Sequence, residues 1–214
     1  MKFKRDKIAL EKFNKVTKSI EKKLLNIDSE IATEFIEWFD KKATYLKQYE
    51  QKSSYLPQPD DLKKGDIVWV EFGINVGTEL SDRNKKGHYA VVWAIDLGNI
   101  IVIPLSSKPI HNSKLSLDLG IIDELNLENE NAHSYLKVDA IRSICKRRIS
   151  RMSKQQTGKI TLSPQKVNMI SNFLKNNFIW YSCRISFFFV YKSWNTNPSI
   201  SFILKFRYYH INCF

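Results

Sequence analysis

The sequence predicts an α+β chain that is mainly β: a small barrel of short strands, preceded by a helical extension and followed by a short helix. Apolar residues before residue 52 recur every three or four positions, which is the period of one helix face. From Asp66 onward, short β-branched and aromatic runs alternate with turn residues. This spacing is typical of a small barrel and not of βαβ units.

The helical extension is predicted over residues 4–52 in two parts. The first carries an apolar stripe made of Phe13, Val16, Ile20, Leu24 and Ile27. Asp28, followed by Glu30, predicts the N-cap of the second part. Its stripe contains Ile31, Phe35, Trp38, Phe39, Leu46 and Tyr49. The charged residues between the stripes are predicted to be solvated faces.

A break in the pattern sets the predicted domain boundaries. The segment "SSYLPQPDDLKKGD" contains prolines, serines and paired aspartates, a composition typical of a linker. We therefore expect a helical extension over residues 1–56 and the folded domain over residues 57–178. Residues 179–214 are crowded with Phe, Tyr and Trp, lack acidic residues and show no clean period. We expect this tail to lie outside the functional domain and assign it no functional residue.

Three long strands and several shorter elements are predicted within the folded domain. "DIVWVEF" is the first strand, and "HYAVVWAI" and "NIIVIPL" flank the turn "DLGN" as a hairpin. "KLSLDL" and "SYLKVDAIRSI" are shorter strand candidates. "SPQKVNMISNFLKNNF" predicts the closing helix, with Ser163 as N-cap and Pro164 at its first position.

Charge and cysteine content indicate which kind of partner and which compartment the protein is suited to. Lys and Arg number 34 against 22 Asp and Glu, a formal charge of +12 that favours polyanions, nucleic acid first and anionic membrane second. Three cysteines without a CxxC motif fit a reducing cytoplasm. The N-terminal residues lack a signal-peptide core, and no apolar stretch reaches the roughly 18 residues of a membrane span.

Four segments in order resemble the MazF/PemK toxin family. They are "KKGDIVWVEFGINVGTEL", "GHYAVV", "VIPLSSK" and "VDAIRSICKRRISRM", and the resemblance covers about residues 63–162. Ala140 stands where the family usually has glutamine. The resemblance implies an SH3-like barrel of the CcdB/MazF type and a cytoplasmic homodimer. It also implies a type II toxin that cleaves single-stranded RNA (mRNA) by 2′-hydroxyl attack without metal or cofactor, and a cognate antitoxin protein as partner.

The resemblance also implies a catalytic pair at the two ends of the predicted hairpin. His88 occupies the place of a family arginine, and Tyr89 the place of the proline that follows it. Ser106 falls on the family's Ser/Thr position. Histidine can transfer a proton near neutral pH, so His88 is expected to act as acid or base while Ser106 donates a hydrogen bond to phosphate. Alternatively, His88 packs locally and Ser106 satisfies turn amides.

Further residues are assigned supporting roles. Catalytic support is expected from Glu79, Lys86, Ser107 and Arg142, although Arg142 could instead pair with a carboxylate such as Asp139. The expected RNA path comprises Arg83, Lys85, Lys108, Lys146, Arg147, Arg148 and Arg151. The run "CKRRISR" could equally be a solvated face. The histidines and cysteines have no metal-ligand spacing, so no metal site is expected.

Two other functions fit the same fold. The first is a non-catalytic SH3-like module that binds nucleic acid or protein. The second is a gyrase-poisoning relative, because one fold can serve unrelated activities.

Overall fold

The computed structural model describes residues 2–52, 58–83, 87–109, 112–125 and 131–178, with only the backbone of Phe178. Within these residues three α-helices and eight strands form. The helices are α1 (Lys7–Leu24), α2 (Ser29–Glu50) and α3 (Pro164–Phe178). The strands are β1 (Asp66–Val70), β2 (His88–Asp96), β3 (Asn99–Ser106), β4 (Ser116–Ile121), β5 (His133–Lys137), β6 (Arg142–Cys145), β7 (Ile149–Ser150) and β8 (Ile160–Thr161). None of the helices in this part of the chain is long and apolar enough to cross a bilayer.

The strands form one antiparallel sheet in the order β4-β5-β3-β2-β1-β7. Strand β6 also pairs with β3, and β8 also pairs with β1. The predicted α+β class with a dominant antiparallel sheet is therefore confirmed. In the part of the chain that the structure describes, the sheet stays open, because its edge strands β4 and β7 do not pair with each other. The described residues therefore do not confirm the small barrel that the sequence predicts.

The hairpin of β2 and β3 forms as predicted. Its turn residues, Leu97 and Gly98, have φ values of 46° and 83°. Two consecutive positive φ values produce a type I′ turn, whose twist matches that of the flanking strands. The ladder runs from Asp96–Asn99 to Ala90–Pro104 and is interrupted by a bulge between Val92 and Ala94.

The central strands are buried on both faces. Successive side chains of a strand point to opposite faces, so Ile67 and Val68 belong to different apolar clusters. The first cluster is completed by Ile170 of α3, and the second by Phe72 and by apolar residues near β6 and β7. Burial on both faces explains why β1, β2 and β3 are nearly continuous apolar runs.

Both predicted helix caps are present. Oδ1 of Asp28 accepts hydrogen bonds from the Glu30 and Ile31 amides at 3.0 and 3.2 Å. Oγ of Ser163 accepts one from the Lys166 amide at 3.4 Å, and α3 begins at Pro164. Each side chain satisfies amides that have no partner within the first helical turn.

Two features differ from the predicted strands. The segment predicted as one strand, "SYLKVDAIRSI", is divided by a 3-10 turn at Val138–Ala140 into β5 and β6. Strands β7 and β8 were not predicted, because two residues each are too few to show a period of two.

Helix α2 packs against the segment that follows β1. Lys41 and Tyr45 both donate hydrogen bonds to the carboxylate of Glu71. The ring of Trp38 covers Gly73, where an added Cβ would overlap it, and φ of Gly73 is +75°. The boundary predicted between residues 56 and 57 lies outside the described residues, as does the tail 179–214, and both stay predictions.

Candidate active site

A cleft of about 450 Å³ opens at the end of the β2–β3 hairpin opposite its turn. The β2–β3 ladder reaches its last pair at Ala90–Pro104, and the cleft lies beyond that pair. Three strand ends contribute to it, and its lining includes Trp69, His88, Tyr89, Ser106, Ser107, Lys108, His133 and Ser134. Its volume is within the range of small-ligand sites. The structure thus places His88 and Ser106 in one cleft.

The imidazole of His88 is held by a buried carboxylate. Nδ1 of His88 lies 2.9 Å from Oδ1 of Asp82, whose side chain is 9% exposed. Oδ2 of Asp82 accepts the Gly73 amide at 2.6 Å, so both carboxylate oxygens are engaged. Because an ionised carboxylate only accepts hydrogen bonds, Nδ1 carries the proton. Nε2 makes no hydrogen bond within the described residues and can accept or donate a proton.

The hydroxyl of Ser106 closes a local turn. Oγ accepts the Lys108 amide at 3.0 Å and donates to the Lys108 carbonyl at 3.1 Å. Ser106 therefore forms hydrogen bonds within the turn. This is the alternative role predicted from its position after a proline-containing strand. To donate to a phosphate oxygen, its hydroxyl must turn away from the Lys108 carbonyl. Ser107 and Lys108 are exposed beside it.

A second histidine that lines the same cleft, His133, also pairs with a carboxylate. Nδ1 of His133 lies 2.8 Å from Oδ2 of Asp118, whose Oδ1 accepts the Gly120 amide at 2.7 Å. Desolvation raises the pKa of Asp118, but hydrogen bonds from His133 and Gly120, with the nearby positive charges of His133 and Lys166, lower it overall. Asp118 therefore stays ionised and orients the His133 ring.

Asp82, Asp118 and His133 were missed from the sequence. The separation of the histidines along the chain does not reveal contacts between strands. For Asp82 a weak signal existed, since it precedes His88 by six positions in a loop that ends at β2. For the pair of Asp118 and His133 no sequence signal marks the contact, because it depends on the pairing of β4 with β5.

Arg148 and Arg142 both interact with other residues of the protein. Arg148 donates Nε to the Glu71 carbonyl at 2.7 Å and Nη2 to the Phe72 carbonyl. Burial, followed by the charge of Arg142, lowers the pKa of Arg148. The guanidinium of Arg142 lies 5.3 Å from the centre of the Phe72 ring, which also contacts the His88 ring edge to face. Arg142 and His88 thus contact the same Phe72 ring, and Arg142 does not line the cleft.

The other expected contributors are distributed around the fold. Arg83 pairs with Glu34 at 3.5 Å, and Arg151 forms a two-pronged pair with Asp60 at 2.8 and 3.3 Å. Glu79 is exposed in the loop after β1. Lys146 is exposed and Arg147 is partly buried. Lys85 and Lys86 lie outside the described residues.

Comparison with known families identifies the class of protein. The family of PemK-like, MazF-like toxins of type II toxin-antitoxin systems matches residues 63–178, more than half of the 214-residue chain. The chain therefore belongs to this toxin family, which confirms the resemblance drawn from its four segments. The match extends past residue 162 and includes α3. No curated protein matches the chain.

Proposed function

We propose that this toxin is a metal-independent endoribonuclease that cleaves single-stranded RNA. The observation that supports the proposal most directly is the His88–Asp82 pair at a cleft of about 450 Å³. A histidine oriented by a carboxylate is a common proton-transfer device in active sites. RNA cleavage without a metal requires a side chain that can transfer a proton, and His88 can fill this role.

The proposed reaction uses the RNA's own 2′-hydroxyl as nucleophile. Nε2 of His88 removes the proton, the 2′-oxygen bonds to phosphorus, and the bond from phosphorus to the 5′-oxygen breaks as an acid gives that oxygen a proton. The products are a 2′,3′-cyclic phosphate and a 5′-hydroxyl. Asp82 stabilises the imidazolium that forms, and Lys108 and the Ser106 hydroxyl offset charge on the phosphorane. Glu79, Lys86, Ser107 and Arg142 stay proposed supporting residues.

Two aromatic side chains support a single-stranded substrate. Trp69 and Tyr89 both line the cleft and contact each other edge to face, with ring centres 4.9 Å apart. Unpaired bases stack on such rings, whereas the bases of a duplex are already stacked on one another. We propose that these rings hold a base next to the scissile phosphate.

The remaining expectations belong to the same proposal. We propose that the open sheet curves as in an SH3-like barrel, supported by the way β1 and β3 each pair with three other strands. Strands that change partners along their length are typical of small curved sheets. We further propose a cytoplasmic homodimer and a cognate antitoxin protein as partner, in keeping with the type II toxin family.

The test is an incubation of the purified protein with a long single-stranded RNA in EDTA. We expect fragments with 2′,3′-cyclic phosphate and 5′-hydroxyl ends, and we expect His88→Ala to lose them. Fragments with 3′-hydroxyl and 5′-phosphate ends would contradict 2′-hydroxyl attack. Tight RNA binding without cleavage would contradict the enzyme proposal and favour the non-catalytic module.

A further inference from the structure

We propose that His133 is the second proton-transfer group of the site and protonates the departing 5′-oxygen. This inference rests on the proposed ribonuclease function. In-line displacement places the attacking and leaving oxygens on opposite sides of phosphorus. One imidazole cannot reach both sides in a single step, so a second group must supply the proton for the leaving oxygen.

The sheet places the two histidines on either side of β3. Strand β3 lies between β2 and β5, and Ser106 pairs with Tyr135 of β5. His133 precedes Tyr135 by two residues, so the two side chains leave the same face of the strand. Neighbouring strands are about 4.8 Å apart, so β2 and β5 are separated by roughly 10 Å. Side chains from those two strands can therefore approach a phosphate group bound in the cleft that both histidines line.

The two imidazoles are held in the same manner. Nδ1 of each contacts a carboxylate, at 2.9 Å for His88 and 2.8 Å for His133. Each carboxylate also accepts a backbone amide, from Gly73 and Gly120 respectively. In both histidines this leaves Nε2 for the substrate, and both side chains line the cleft.

Exposure decides which histidine acts as the acid. The side chain of His133 is 46% exposed and that of His88 is 28% exposed. Solvent reaches His133 more freely, so we assign the acid role to His133 and the base role to His88. The carboxylate of Asp118 lies against Nδ1 of His133 and would stabilise its protonated form.

One proton is taken from the substrate and one is given to it in the proposed step. Nε2 of His88 takes the proton of the 2′-hydroxyl as the bond from O2′ to phosphorus forms. The bond from phosphorus to O5′ breaks, its electron pair stays on O5′, and Nε2 of His133 gives that oxygen a proton. The two histidines then exchange protons with water and return to their starting states.

The experiment compares two RNA substrates cleaved by the full-length protein. In one substrate the leaving atom is the normal 5′-oxygen, and in the other it is sulfur at the same bridging position. A thiol has a pKa of roughly 8.5 and leaves as its anion, so the sulfur substrate needs no general acid. The variants are His133→Ala and His133→Gln, with Asn131→Ala as control, an exposed position two residues away.

We expect both His133 variants to cleave the oxygen substrate about 10²- to 10⁴-fold more slowly. On the sulfur substrate they should cleave at nearly the wild-type rate, whereas His88→Ala should be slow on both. Thermal unfolding verifies that each variant is folded. Oxygen-substrate cleavage equal to that of Asn131→Ala would overturn the inference, as would equal losses on both substrates. Failure of the wild type to cleave any RNA would instead contradict the proposed function, and the role of His133 with it.

Discussion

At the scale of single residues, the proposed chemistry depends on a relay of hydrogen bonds that starts at a backbone amide. The Gly73 amide donates to Asp82, and Asp82 accepts from His88. Since Asp82 is buried and both of its oxygens are engaged, the orientation and tautomer of the His88 ring are set before RNA binds. The carboxylate therefore acts through the histidine and not on the substrate.

Substitutions along this relay are expected to reduce catalysis more than binding. His88→Ala should lower the cleavage rate about 10²- to 10⁴-fold, the usual contribution of one proton-transfer group. Asp82→Asn should cost on the order of 10²-fold or more, because the amide favours the wrong tautomer of the ring. Ser106→Ala should cost less than His88→Ala, since its hydroxyl already serves the local turn.

Single-turnover cleavage and RNA affinity measured separately test this expectation. The matched control is Asp96→Asn, an exposed carboxylate at the opposite end of β2, which should behave like the wild type. Wild-type cleavage by a folded Asp82→Asn would show that the carboxylate does not orient His88.

At the scale of elements, α2 supports the loop that carries Asp82. Trp38 covers Gly73 on one side, and the guanidinium of Arg148 lies 5.1 Å from the Trp38 ring centre. Arg148 itself holds the carbonyls of Glu71 and Phe72. Helix α2 thus contributes to the position of the His88 relay, whereas α1 has no buried residue.

The contact between Tyr45 and Glu71 should make the docking of α2 sensitive to high pH. Burial, followed by the hydrogen bond to Glu71, raises the pKa of Tyr45 well above its usual range. An unfolded tyrosine ionises near pH 10, so the phenol's stabilising contribution is complete below about pH 10 and is lost as the pH rises beyond it.

Urea unfolding of the wild type and Tyr45→Phe measures this contribution. We expect the difference in unfolding free energy between the two proteins to shrink as the pH is raised above about 10. Tyr49→Phe, an exposed tyrosine on the same helix, is the control. A difference that stays constant across this range would mean that the phenol of Tyr45 is not stabilised by its surroundings.

At the scale of the whole molecule, the buried apolar clusters of the described residues lie within the matched family domain. Both clusters of buried residues, with the apolar side chains packed against them, lie between Leu62 and Leu174. Among the described residues, the helical extension contacts the loop after β1 and Arg148, and it adds no member to either cluster. We therefore expect the toxin domain to fold without the helical extension. We expect its candidate site, however, to depend on the contacts with α2.

A fragment of residues 57–178 tests this separation. We expect it to unfold cooperatively at a lower temperature than the full chain and to cleave RNA more slowly, because Gly73 and Glu71 lose the support of α2. Trp38→Ala in the full chain should change cleavage in the same direction. Loss of cooperative unfolding by the fragment would show that the helices complete the core, and faster cleavage would show that they shield the site.

The net charge of +12 predicts RNA binding that weakens with salt. For single strands, the logarithm of affinity should fall with the logarithm of salt concentration at about −0.7 per phosphate contacted. Replacing Lys146 and Arg147 with alanine should make this slope shallower. Replacing Lys12 and Lys15 of α1 removes the same charge and should leave the slope nearly unchanged. Equal slopes for the two double variants would show that Lys146 and Arg147 do not contact the RNA.

The sequence predicted those features that depend on neighbouring residues. The caps at Asp28 and Ser163, the hairpin around Leu97–Gly98 and the family itself follow from short-range pattern and motif order. The partners of the arginines, by contrast, could not be predicted from neighbouring residues. Arg148 and Arg151 belong to one basic run, yet each has partners more than 70 positions away, Glu71 and Phe72 for the first and Asp60 for the second. Such partners depend on which strands meet, which a charge run does not reveal.

By itself the sequence determined the class of fold, the hairpin, the helix ends and the membership in the toxin family. Only the tertiary structure decided that Asp82 holds His88, that His133 lines the cleft and pairs with Asp118, and that the described sheet stays open. The physical reason is the range of the interactions. Periodicity and capping act over a few residues, whereas the cleft is assembled where β2, β3 and β5 lie side by side.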